Sequence, residues 1–86
     1  MARVYLTRSA KAALEGLEHP LAEAVLDALG ELERNAQAGY RLRGRLAGLW
    51  SFRVGVYRVI YELRDDQTAR VVAIRHRAEA YLSDPR

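Results

Sequence analysis

The stretch Trp50-Ser51-Phe52-Arg53-Val54-Gly55-Val56-Tyr57-Arg58-Val59-Ile60-Tyr61 decides the fold. Before Gly55, Trp50, Phe52 and Val54 alternate with Ser51 and Arg53; after Val56, Tyr57, Val59 and Tyr61 alternate with Arg58 and Ile60. Period two with β-branched and aromatic residues is the signature of strands. Gly55-Val56 is the only short connection between the two runs, and glycine at the first central position suits a type II′ hairpin turn. A two-residue turn sets the register. Val54 then faces Tyr57, Arg53 faces Arg58, Phe52 faces Val59, Ser51 faces Ile60 and Trp50 faces Tyr61. One face becomes apolar and aromatic, a surface on which helices can pack. The other sets Arg53 directly against Arg58, a like-charge pair that costs on the order of 0.2–1 kcal/mol. Either the two arginines splay apart towards Glu62 or a C-terminal carboxylate, or they seat a phosphate, whose oxygens match guanidinium forks.

Working outward, Arg3 to Thr7 alternate and form a first short strand. Thr7 or Ser9 can cap a helix running to about Leu17, because either hydroxyl can accept from an orphan backbone N–H. His19-Pro20 breaks that helix and opens another, since proline tolerates the first helical position; His19 looks like its cap. Leu21, Val25, Ala28, Leu29, Leu32 and Ala36 make one apolar stripe, with Glu23, Asp27, Glu31 and Arg34 off it. Gly39 stands where a helix stop is expected. Tyr40 to Gly48 is basic, holds two glycines and lacks a period, so it reads as a loop. Asp65 to Thr68 is a polar turn, the Asp65-Asp66 pair belonging to the turn and not to a metal cluster. Arg70 to Arg75 is the last strand, with Val71, Val72 and Ile74, and the tail from Arg77 has room for one helical turn before Pro85.

The expected fold class is therefore α+β: an N-terminal strand, an antiparallel helical hairpin, then antiparallel strands in a sheet with the helices on one face. At 86 residues one domain spanning 1–86 is expected. Half of the residues are hydrophobic and 29% are charged, which is the balance of a globular chain and not of a disordered one. Absence of cysteine excludes disulfide frameworks, thiolate nucleophiles and cysteine-based zinc sites, and makes an intracellular, cytoplasmic location the natural expectation. No membrane span or secretory signal is read. There is no Walker-type loop or HExxH, and no cofactor or metal is expected.

Charge becomes informative when the chain is split. Residues 1–40 carry four basic against six acidic residues, net −2, whereas residues 41–86 carry ten against five, net +5. Thirteen of the fourteen basic residues are arginine; the exception is Lys11. A basic, arginine-rich half points to a polyanion such as nucleic acid, or to a solvated basic surface. If Ile74 is in the core, Arg75 and Arg77 point towards the Arg53–Arg58 face, and Tyr81 follows four residues on. Tyr81 is either a core or rim aromatic, or a proton donor or acceptor whose pKa neighbouring arginines would lower. His76 reads as a structural residue facing the core.

The runs Leu42-Arg43-Gly44, Leu46 to Gly55, Tyr57-Arg58-Val59-Ile60-Tyr61 and Arg75-His76-Arg77-Ala78-Glu79-Ala80-Tyr81 resemble the RelE branch of the RelE/ParE toxins of type II toxin-antitoxin systems. The resemblance spans residues 40 to 81. It implies a toxin that enters the ribosomal A site and cuts mRNA without a metal, the ribose 2′-hydroxyl attacking the adjacent phosphate. It implies Arg53, Arg58, Arg77 and Tyr81 as catalytic residues and Arg41, Arg43, Arg45 and Arg75 as RNA contacts. The implied partners are a cognate antitoxin, in a toxin-antitoxin hetero-oligomer, and the ribosome with its mRNA. The chain departs from the family's pattern at Ser51, where a second strand lysine is usual. Arginine is a poor base, so the proton falls to Tyr81, Glu79, or ribosomal or substrate groups. The alternatives carried with this reading are a ParE-like gyrase inhibitor and a catalytically weakened homologue that binds RNA or antitoxin.

Overall fold

In chain order the elements of the computed structural model are β1 (Arg3–Leu6), α1 (Arg8–Glu15), α2 (His19–Arg34), β2 (Tyr40–Arg41), a 3-10 turn (Gly44–Leu46), β3 (Leu49–Val54), β4 (Tyr57–Asp65) and β5 (Thr68–His76). Residues 1–65 and 67–86 are described, so Asp66 of the turn pair lies outside them. The five strands form one sheet in the order β1-β5-β4-β3-β2.

The hairpin follows the register set by its turn. Val54 pairs with Tyr57, Arg53 with Arg58, Phe52 with Val59, Ser51 with Ile60 and Trp50 with Tyr61. Gly55 has φ +59° while no non-glycine residue among the described residues has positive φ, so Val56 does not. A type I′ turn needs positive φ at both central positions, which leaves type II′ as the fit. β1 joins β5 in parallel, not antiparallel, through pairs such as Val4 with Ala69 and Leu6 with Val71. The intervening helical hairpin supplies the long crossover that a parallel arrangement requires.

The helices lie over the apolar face. Thr7 caps α1, its hydroxyl accepting from the Ala10 N–H at 3.2 Å. α2 turns Val25, Ala28, Leu29 and Leu32 into a core shared with Val54, Val59, Tyr61, Val71 and Ile74. His19 is not a cap: Glu18 holds the N-cap position without a side-chain bond, and His19 is an exposed first helical residue 3.6 Å from Glu23. α2 ends at Arg34, with Asn35 as its C-cap, four residues before Gly39. Gly39 serves a close approach instead of a helix stop: a Cβ there would lie 2.6 Å from the Ser51 carbonyl oxygen and 2.8 Å from Tyr61 Oη.

A second, smaller core covers part of the opposite face. Leu46, Leu49, Ile60, Val72, Ala73 and Ala80 are buried there, with Leu42 and Tyr81 packed against them. A register shift makes it possible: Ile60 pairs with Ala73 but Tyr61 pairs with Val71, leaving Val72 as an extra residue. Such a bulge lets adjacent residues serve different faces. Val71 enters the helix-side core while Val72 and Ala73 enter the other. No helix among the described residues is long and apolar enough to cross a membrane.

Candidate functional site

Strand pairing carries the Arg53–Arg58 opposition one strand further. Arg58 also pairs with Arg75, so three arginines stand in a row across β3, β4 and β5. With strands ~4.8 Å apart, that row concentrates positive charge over about 10 Å. Among the described residues, none of the three is ion-paired with a carboxylate. Glu62, the acid available to neutralise them, is taken by Arg70 at 2.9 Å and Arg64 at 3.3 Å. The arginines are held by neutral groups instead. Arg58 donates to the carbonyls of Gly55 (3.1 Å) and Tyr57 (2.8 Å) at the turn. Arg75 donates to the carbonyls of Ala80 and Ser83, tying down the tail. Arg53 lies over the ring of Tyr40, 5.2 Å from its centroid, with Nε donating to Tyr40 Oη at 3.3 Å.

Beside this row is a chain of hydroxyls. Ser51 is fully buried, and its Oγ lies 2.7 Å from Tyr81 Oη, which lies 3.3 Å from Tyr40 Oη. β2 delivers Tyr40, since it pairs directly with Ser51. The segment read as a loop thus begins with a two-residue edge strand, too short to show a period. The tail delivers Tyr81: Arg77 N–H donates to the Val56 carbonyl at 2.7 Å, one turn follows, and Ala80 is buried beneath it. Arg86 secures the far end by donating to the carbonyls of Ala47 and Arg45 and to Asp84.

The two site tyrosines titrate in opposite directions. Tyr40 is lowered to about 8, chiefly by the hydrogen bond from Tyr81; burial opposes this, and the bond and charge of Arg53 and the Ser51 hydroxyl add to the lowering. Tyr81 is raised, because burial and the neighbouring Tyr40 outweigh Ser51 and Arg58. Arg58 pulls the Tyr81 pKa down as a neighbouring arginine should, but the net shift is upward, and the guanidinium that hydrogen-bonds a phenol oxygen is Arg53, on Tyr40. Tyr40 is the site residue that reading the sequence missed. The position of Tyr40 just after Gly39, expected from the sequence to be a helix stop, was its only signal.

The other candidates are distributed around this centre. Arg77 is exposed at the hairpin tip, next to the Gly55-Val56 turn. Arg43 and Arg45 are exposed along the 3-10 turn. Arg41 pairs with Trp50, and its guanidinium lies 5.4 Å above the indole, on the helix side and away from the arginine row. His76 is structural: its ring meets Tyr57 edge-on at 5.7 Å, and its Nδ1 accepts from the Ala78 N–H. Glu79 is exposed on the tail turn. No three His, Asp or Glu side chains among the described residues converge as a metal site would need.

Residues 4–81 match the family model described as the ParE toxin of the type II toxin-antitoxin system parDE. The chain belongs to the RelE/ParE family of toxins. Its relatives lie on the RelE side of that family. Toxin RelG of Mycobacterium tuberculosis is 37% identical over 81 residues, covering 91% of this toxin and 93% of RelG. In the crystal structure of the toxin-antitoxin complex RelBE2 from the same organism, the matching chain is 33% identical with a TM-score of 0.79, over 87% of this toxin and 96% of that chain. The isolated Escherichia coli RelE toxin shares the fold, with a TM-score of 0.73 at 16% identity over 88% and 84% of the two chains. This toxin is thus a type II toxin of the RelE branch, with the helices on one face of the sheet and the arginine row on the other.

Proposed function

We propose that this toxin is a ribosome-dependent endoribonuclease of the cytoplasm that cleaves mRNA by metal-independent attack of a 2′-hydroxyl on the adjacent phosphate. The observation that carries the reading is the unneutralised row Arg53–Arg58–Arg75 beside the Tyr40–Tyr81–Ser51 hydroxyls. Arg53 and Arg58 seat the scissile phosphate and meet the charge that builds up in the transition state. Arg77 approaches from the hairpin tip, Tyr81 exchanges protons, and Arg43 and Arg45 extend the phosphate contacts along the chain, with Arg41 at the β2 edge. Arg75 contributes charge while holding the tail that carries Tyr81.

Losing one donor of this kind commonly costs about 3–4 kcal/mol of transition-state stabilisation. Arg58→Ala therefore lowers cleavage far more than tenfold. Primer extension on mRNA in a translating extract tests this: wild type leaves breaks at A-site codons and Arg58→Ala does not. A wild-type toxin that arrests growth without breaking mRNA refutes the reading.

The partner that restrains the toxin is an antitoxin, as the names of the solved relatives suggest. Its contact surface is the acidic helix pair or the basic sheet face. One observation favours a second reading: the matching family model is described as a ParE toxin. Gyrase inhibition by binding needs no proton chemistry, and predicts DNA damage on expression in place of mRNA breaks.

A further inference from the structure

The arginine face has a peculiarity once its titratable groups are enumerated. β3 contributes Arg53, β4 contributes Arg58, β5 contributes Arg75, β2 contributes Tyr40 and the tail contributes Tyr81. No histidine or lysine joins them among the described residues, and the carboxylate beside Arg75, Glu79, is exposed on the tail turn and outside the Tyr40–Tyr81–Ser51 hydrogen bonds. His76 packs against Tyr57 on the helix side, Glu62 is held by Arg64 and Arg70, and Lys11 is on α1. Arginine cannot release a proton in proteins and so cannot take one up. Within the hydrogen-bonded group at the centre of this face, a proton is therefore accepted by a tyrosine.

We propose that Tyr40 is the proton acceptor of this face and that it works as a pair with Tyr81, which donates. The inference rests on the endoribonuclease reading and adds to it a catalytic residue on β2. Three contacts set the roles. Arg53 lies over the Tyr40 ring and donates to its oxygen, so the face favours the phenolate there. Tyr81 is the more enclosed of the two, and this burial favours the neutral phenol, outweighing the opposite pull of the buried Ser51 hydroxyl 2.7 Å away. The two phenol oxygens are themselves 3.3 Å apart. The opposite titration of the two groups, Tyr40 lowered to about 8 and Tyr81 raised, agrees with this division of labour. At pH 7 about a tenth of Tyr40 is then phenolate, against about a thousandth for an unperturbed tyrosine.

The step balances without a co-reactant. Tyr40 takes the 2′-hydroxyl proton as the 2′-oxygen bonds to phosphorus. The bond from phosphorus to the 5′-oxygen breaks, and that oxygen takes the Tyr81 proton. The products are a 2′,3′-cyclic phosphate and a 5′-hydroxyl. One proton passing from Tyr40 Oη to Tyr81 Oη across their hydrogen bond restores the starting state.

The test is single-turnover cleavage on ribosomes programmed with mRNA, followed against pH, for the wild type, Tyr40→Phe and the chain carrying 3,5-difluorotyrosine at position 40. The wild-type rate should rise with pH and level off near 8. Tyr40→Phe should lose about 100-fold or more, the usual scale of general base catalysis, and lose the rising limb, while ribosome affinity stays within about twofold. The fluorinated side chain, a stronger acid of nearly the same shape, should move the limb to lower pH, which a merely structural role would not do. Tyrosine Cζ carbon-13 resonances of the free toxin should show one group ionising near 8, absent in Tyr40→Phe. The proposal is overturned by a Tyr40→Phe toxin that keeps its rate, by one that loses rate but keeps the limb, or by the absence of a low-titrating resonance. If wild type cuts nothing, the endoribonuclease reading falls and the proposal with it; if wild type cuts and Tyr40→Phe cuts equally well, only the proposal falls.

Discussion

Gly39→Ala should destabilise this toxin although alanine normally stabilises such a position. Gly39 does not have positive φ, so alanine brings no backbone strain and would gain about 0.4–1 kcal/mol through a less flexible unfolded chain. Against this, the added Cβ would lie 2.6 Å from the Ser51 carbonyl oxygen and 2.8 Å from Tyr61 Oη. One obstacle is strand backbone and the other the hydroxyl of a fully buried ring, so neither can swing away. Forcing extra volume into packed structure costs about 1–3 kcal/mol. Separating the segments also endangers the bonds from Gly39 N–H to Tyr61 Oη (3.1 Å) and from Tyr61 to the Ala36 carbonyl (2.9 Å), each worth about 0.5–1.5 kcal/mol. The net loss is about 2–4 kcal/mol, or about 10–25 °C in Tm for a domain of this size. Thermal and urea unfolding followed by circular dichroism measure it. Tyr61→Phe removes the 2.8 Å obstacle but leaves the 2.6 Å one, so the double variant should cost less than the sum of the single ones by about 1 kcal/mol. A Gly39→Ala toxin melting within about 3 °C of wild type would show that the approach of β2 to β3 is loose, and the placement of Tyr40 opposite Ser51 would lose its physical basis.

Arg75→Met should free the tail while leaving the sheet folded. Losing its bonds to the Ala80 and Ser83 carbonyls costs about 1–2 kcal/mol locally, so trypsin should cut after Arg77 about 5–30-fold faster, and an unchanged rate would contradict the strap. Asp84 is lowered to about 2 from 3.8, mainly by its bonds from the Arg86 side chain and backbone. A depressed carboxyl stabilises above its unfolded pKa and stops doing so as pH falls through the folded value, so the tail's hold should be constant from neutral pH to about 5 and weaken between about 4 and 2. Carbon-13 titration of the Asp84 carboxyl checks the midpoint.

The parts of the fold legible in the sequence were those with a period or a tight turn. The Gly55-Val56 turn carried the register of five cross-strand pairs, and the stripe through Val25, Ala28, Leu29 and Leu32 marked the buried side of α2, with Ala36 buried just past its end. What escaped has physical reasons. Two residues of strand have no period, so Tyr40–Arg41 looked like loop. The second core is assembled from Leu42, Leu46, Leu49, Ile60, Val72 and Ala80, spread over irregular chain, three strands' worth of register and a bulge, none of which leaves a local pattern. Where the last strand would align was open for the same reason, because the Asp65–Thr68 turn does not set register as tightly as a two-residue one. The site followed suit: Arg53 and Arg58 could be placed by the turn alone, whereas the Tyr40–Tyr81 contact joins residues 41 apart in sequence through an edge strand and a tail.

The arginine row is itself evidence that the hairpin is over-determined. Each like-charge opposition in Arg53–Arg58–Arg75 costs on the order of 0.2–1 kcal/mol, and a sheet free to slide would relieve it by shifting one residue. A one-residue slip of β4 would turn Val59 and Tyr61 out of the helix-side core and put Arg58 into it, at a cost of about 1.5–3 kcal/mol for each buried apolar side chain lost, before any charge is desolvated. The turn and the core therefore hold the guanidiniums together against their own repulsion. A bound phosphate would relieve that repulsion, so an anion seated there should find its partners already arranged and no rearrangement left to pay for.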